Sequence, residues 1–133
     1  MNKLKEYYQQ QLRLYQQMFD IALAQERAIQ AKDYKGLLLL IKKRKGIIGK
    51  IDKIREKSLL LSQHINKEVQ EIVEKLISLL RKILAQEKKN ESLLKRGMQQ
   101  ISSDLQQINK VKFLQRAYRE FSQPNARFLD QRK

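Results

Sequence analysis

Apolar residues step by three and four along the second half of the chain. They run Ile65, Val69, Ile72, Leu76, Leu79, Ile83, then Leu94, Met98, Ile101, Leu105, Ile108, Val111, Leu114, Tyr118 and Phe121. That spacing collects them on one face of a helix. The single proline, Pro124, falls beyond the stripe. The pattern predicts one helix over about 66–121, followed by a polar tail over 122–133. At ~1.5 Å per residue such a helix would be roughly 80 Å long. The stripe lapses at Gln86, Glu87 and Asn90, where a polar layer sets register or marks the end of the covering helices. Gly97, just past the lapse, is the natural place for a bend.

The first half of the chain predicts two shorter helices. Helix one covers about 2–31, with Leu4, Tyr8, Tyr15, Met18, Ala22 and Ile29 on its inner side. Leu12 and Phe19 join them, flanked by Leu14 and Ile21. The pattern breaks at Ala31-Lys32-Asp33, and Asp33 is placed to cap the next helix through its carboxylate. Helix two covers about 34–61, with Leu37, Leu38, Ile41, Ile48 and Ile51 inward and Leu40, Ile47 and Ile54 alongside. Gly46 and Gly49 interrupt it, each costing up to about 1 kcal/mol relative to Ala. They mark a close helix–helix approach or a weak point, and the apolar Ile47 and Ile48 between them favour the first. Ser62 to Asn66 is the expected turn into helix three, with His64 serving that turn.

Helices one and two hold about 30 residues each, so they cover only about half of an 80 Å helix. The expected architecture is all-α: an elongated, antiparallel three-helix bundle or coiled coil with a long carboxy-terminal helix. Leu94 to Tyr118 would then lack an internal partner, and exposed apolar surface of that extent marks an interaction site. Three outcomes stay open. The segment bends at Gly97 onto its own bundle, pairs with a second copy of the chain, or offers its stripe to an amphipathic helix from another protein.

Composition supports helices and narrows the chemistry. The 133 residues include 4 Gly, no Cys and no Trp, and are rich in Gln, Lys, Arg, Glu and Leu. Without cysteine there is no disulfide, thiol nucleophile or thiolate metal site, which fits the cytoplasm. The amino terminus lacks a signal-peptide core. The longest apolar run, Leu37 to Ile41, is far short of the ~20 residues of a membrane span. A soluble, cytoplasmic protein without membrane insertion is the expectation. His64 is the single histidine, and the acidic residues Glu68, Glu71 and Glu74 alternate with lysine as solvated faces do. No phosphate-binding glycine loop is present. No enzymatic activity, catalytic residue, metal or cofactor is expected.

Net charge is +15, from 29 basic and 14 acidic residues. Such a surplus attracts nucleic acid, anionic lipid or acidic proteins. The basic residues read as spread along all the helices without interleaved aromatics, which argues against base-stacking nucleic-acid binding.

Several of these segments resemble the flagellar type III export chaperones of the FlgN type. The break Ala31-Lys32-Asp33 is followed by Leu37-Leu38, then Arg44 before Ile47-Ile48. The stretch Leu84-Ala85-Gln86-Glu87-Lys88-Lys89-Asn90-Glu91-Ser92-Leu93-Leu94 is similar to the family's acidic-residue, Asn and Leu-Leu pattern. Ala117-Tyr118 and the closing Phe128-Leu129-Asp130 complete the likeness, which spans nearly the whole chain. The resemblance implies a cytoplasmic chaperone. Its cargo would be the carboxy-terminal segment of hook–filament junction (hook-associated) proteins, which turns helical on binding and is delivered to the export gate. It also implies a gate-binding tyrosine near the carboxy terminus, matched by Tyr118. Tyr118 reads equally as a half-buried aromatic closing the stripe. The basic charge departs from the acidic character common among secretion chaperones.

The cargo-binding residues expected from the unpartnered stripe are Leu94, Met98, Ile101, Leu105, Ile108, Val111 and Leu114. Self-association through the distal half of helix three is the plainer use of the same surface. The competing class is a basic structural coiled coil, either an export ATPase stalk-like component or a nucleic-acid-associated helical protein. Salt separates the classes: binding to nucleic acid weakens steeply as salt rises, whereas docking of an apolar stripe persists with a negative heat-capacity change.

Overall fold

The computed structural model describes residues 3–61, 66–100, 109 and 112–117, with the side chains of Met98 and Gln100 outside that description. It is an all-α bundle of three helices, with no strand among the described residues. These are α1 (Lys3–Gln30), α2 (Tyr34–Leu60) and α3 (Lys67–Gln100). Residues 112–117 are also helical. None of the helices among the described residues is long and apolar enough to cross a membrane.

The chain runs up, down and up. Gln11 of α1 bonds Ser58 of α2, while Ile29, Tyr34 and Leu37 pack together at the opposite end, so α1 and α2 are antiparallel. Lys5 reaches Glu68 at 3.1 Å and Asn90 reaches the Ala22 carbonyl at 2.9 Å, so α1 and α3 are parallel. The close backbone contacts join α1 to each of the other two helices. Helices α2 and α3 are bridged by longer side chains, Arg44 and Glu87.

The turns follow local chemistry. Lys32 adopts a positive φ of 58°. Its N–H donates to the Ile29 carbonyl, and the Asp33 N–H donates to Ala28, which closes α1 in a Schellman motif. Asp33 then caps α2: its Oδ1 accepts from the Gly36 N–H at 2.9 Å. A β-carbon at residue 36 would collide with that carboxylate, which explains the glycine. Asn66 plays the corresponding part for α3, accepting from the Val69 N–H at 2.9 Å. Ser62 and His64 lie outside the described residues.

The core is one seam of alternating three- and four-residue steps on each helix. Tyr8, Tyr15, Met18 and Ala22 on α1 face Ile47 and Ile51 on α2 and Val69, Leu76, Leu80 and Ile83 on α3. Burying each large aliphatic side chain fully stabilises the fold by about 1.5–3 kcal/mol. The helix-two face is rotated slightly from expectation, with Ile47 buried and Ile48 partly so.

One sequence expectation is overturned here, and one open alternative is narrowed. Gly46 and Gly49 mark no approach among the described residues, because a β-carbon at either position meets nothing within 4 Å. Of the outcomes left open for the distal segment, a single straight helix through Leu114 is excluded. Leu94 and Leu114 are both fully buried in one cluster with Ile29, Tyr34 and Leu37. A straight helix would hold residues 20 positions apart about 30 Å from one another. Burial of apolar surface at the bundle's end favours the return.

Candidate functional site

The residues singled out in sequence converge on the end of the bundle where α1 turns into α2. Leu37, Leu94 and Leu114 meet Ile29 and Tyr34 there, with Ala28, Leu38, Ile41 and Leu93 packed around them. Gly97 lets α3 pass this end closely, since a β-carbon on it would stand 3.3 Å from the Tyr34 hydroxyl oxygen. Helix α3 continues through Gly97 to Gln100. Burial raises the Tyr34 phenol above its ordinary pKa, and its oxygen has no hydrogen-bond partner among the described residues.

Below this apolar cap lies a polar layer inside the seam. Arg44, 2 % exposed, donates from Nη1 to Glu87 Oε2 at 2.6 Å, and Glu87 is 4 % exposed. Burial pushes the Glu87 carboxyl above the ordinary carboxylate range, with Arg44 pulling the other way. Asn90, fully buried, donates to the Ala22 carbonyl and accepts from Gln86 Nε2 at 3.0 Å. Gln86 also donates to Glu26 at 2.6 Å, and Lys89 pairs with Glu26 at 3.2 Å. The Gln86 hydrogen bond, then Lys89, holds the Glu26 carboxyl below its ordinary range. This network ties all three helices at one level. Most of its polar atoms are engaged with one another, while Glu87 Oε1 has no hydrogen-bond partner among the described residues. Among the described residues no group of three His, Asp or Glu side chains could hold a metal ion.

The expected cargo stripe is thus split. Leu94 and Leu114 are not awaiting a partner; both are sealed in the cap of their own molecule, and their assignment as free cargo-binding residues is corrected. Ile101, Leu105, Ile108, Val111 and Tyr118 lie outside the described residues, as does the Met98 side chain.

Sequence reasoning missed the buried polar residues Gln11, Gln25, Arg44 and Ser58. Gln11 Nε2 donates to Ser58 Oγ at 2.9 Å, and that hydroxyl donates to the Arg55 carbonyl. The signal was present. Gln11 falls between Tyr8 and Tyr15, and Gln25 between Ala22 and Ile29, at the three- and four-residue steps of the seam. Arg44 was hidden in the run Lys42-Lys43-Arg44-Lys45, where its neighbours are all exposed.

The basic residues, too, are less evenly placed than the sequence suggested. Helix α2 holds nine basic and two acidic residues, against four and three on α1 and eight and five on α3. Its seven lysines, at 35, 42, 43, 45, 50, 53 and 57, are all exposed.

No family model, curated protein or solved structure matches this chain.

Proposed function

We propose that the protein is a chaperone of the flagellar type III export system, binding the carboxy-terminal segment of hook-associated proteins and handing it to the export gate. One observation carries the reading. Leu37, Arg44, Glu87, Asn90 and Leu94, which bear the FlgN-type resemblance at positions scattered over 58 residues, are all buried toward the same end of the bundle, in the apolar cap and the polar layer next to it. Residues that share a family pattern and also share a place in space are explained together by a common architecture. An elongated helical bundle without a metal-ligating cluster among its described residues suits helix recognition better than catalysis.

With Leu94 and Leu114 engaged in the cap, the cargo-binding part of the stripe is assigned to Met98, Ile101, Leu105, Ile108 and Val111, and gate binding to Tyr118. The test is calorimetric titration of the full chain with a peptide from the carboxy terminus of a hook-associated protein of the same cell. Binding should bring a gain in helical circular dichroism and a negative heat-capacity change, and should persist at high salt. Met98→Glu with Leu105→Glu should abolish it while the protein stays folded. Tyr118→Ala should lose the gate's cytoplasmic domain and keep the cargo peptide. Unchanged cargo affinity in the double variant would reject the assigned surface.

A further inference from the structure

The two glycines inside α2 have no role in the packing of the described residues. Each costs up to about 1 kcal/mol relative to Ala in a helix interior. Neither has a positive φ, and a β-carbon at either would enter open space. Both lie on the face opposite Leu37, Arg44 and Ile51, one helical turn apart. The seam they belong to begins at Lys35 and Leu39, passes Lys42, and continues beyond them to Lys53 and Leu60. All of these positions are exposed. Leu39 is 62 % exposed and Leu60 is 83 % exposed. The outward face of α2 therefore has apolar ends, a bare backbone at its centre, and lysines along its length.

We propose that this face is a docking surface for an acidic amphipathic helix of a partner protein. Charge complementarity selects the occupant. Of the three helices α2 is the most one-sidedly basic, and among the described residues its lysines have no ion-pair partner. Glycine at 46 and 49 lets a second backbone approach more closely than any side chain would. Leu39 and Leu60 supply apolar anchors about 30 Å apart at 1.5 Å per residue, a span that a helix of some 25 residues covers. A nucleic acid would leave both leucines unused, and the aromatic of α2, Tyr34, is buried and offers no stacking platform. The surface is on the side of α2 opposite Leu37, which enters the cap, and shares no residue with the cargo stripe, so it stands independently of the chaperone reading.

The experiment uses the full chain and three fluorescent probes. One is a synthetic helical peptide with two leucines and a central alanine pair on one face, flanked by glutamates. The second is the same peptide scrambled to remove that face, and the third is a DNA duplex of matching length. At ~0.15 M salt, where surface charges are screened beyond about 8 Å, the patterned peptide should bind about ten-fold more tightly than the scrambled one. Lys42→Glu with Lys53→Glu should lose that binding. Gly46→Gln with Gly49→Gln should lose it as well while raising the melting temperature, since good helix formers then fill open space. Equal binding of the scrambled peptide, indifference to the glycine variants, or tighter binding of the duplex would each overturn the proposal.

Discussion

Lys32 shows how a single residue can carry a turn against its own preference. Its positive φ costs an L side chain about 1–2 kcal/mol, yet the Schellman bonds to Ile29 and Ala28 hold it there. Lys32→Gly should therefore stabilise the protein by about 1 kcal/mol, measurable as a shifted urea midpoint with unchanged slope. Arg44 and Glu87 make the opposite kind of statement. Removing one partner of a buried pair strands the other, so Arg44→Met alone should cost about 3–5 kcal/mol, whereas Arg44→Met with Glu87→Leu should come out near neutral or better. A double-mutant cycle read by urea denaturation decides between them. Glu87 also gives a pH signature. Burial raises its carboxyl pKa in the fold, so the folded chain holds that proton to higher pH than the unfolded chain. Its contribution favours the fold at acid pH and is lost as pH rises from the ordinary carboxylate range through the raised value. Glu26 has the reverse sign: lowered by Gln86 and Lys89, its contribution is present above the ordinary range and is lost as pH falls through the lowered value. Glu87→Gln retains an acceptor for Arg44 and cannot ionise. It should remove the downward slope that begins above the ordinary carboxylate range and leave the acid-side loss due to Glu26.

The helices themselves were legible because their signals are local. Steps of three and four placed Tyr8, Tyr15, Met18, Val69, Leu76 and Ile83 inward, and the structure buries all of them. The break at Ala31-Lys32-Asp33 marked the first turn, and Asp33 caps α2 as its chemistry suggests. Asp33→Ala should cost about 1 kcal/mol, since the Gly36 N–H loses its acceptor, and thermal denaturation of the variant checks it. Most polar members of the seam outside the layer at Gln86, Glu87 and Asn90 were not legible by hydropathy. Gln11, Gln25 and Arg44 look like solvated residues when only apolar letters are followed, whereas Asn90 was marked by the lapse in the stripe. Their burial depends on partners from other helices: Ser58 for Gln11, Glu87 for Arg44, and the Ala22 carbonyl for Asn90. An element seen alone cannot show which of its polar positions will meet such a partner.

At the scale of the molecule, the mismatch between two short helices and one long stripe is partly resolved by return. Leu94 and Leu114 close the bundle's end together, so greasy surface that sequence left uncovered finds some of its cover at home. Leu94→Ala should cost about 2–5 kcal/mol and lower the unfolding midpoint, as for any fully buried leucine, rather than act only on a binding partner. Three amphipathic helices, their seams, and the caps at Asp33 and Asn66 were set by residue spacing and side-chain chemistry, which act within a turn or two of the chain. The pairing of Arg44 with Glu87, the empty space beside Gly46 and Gly49, and the meeting of Leu94 with Leu114 were decided by the fold. Each depends on residues distant in sequence becoming neighbours, or failing to, and periodicity along one helix carries no information about what stands across from it.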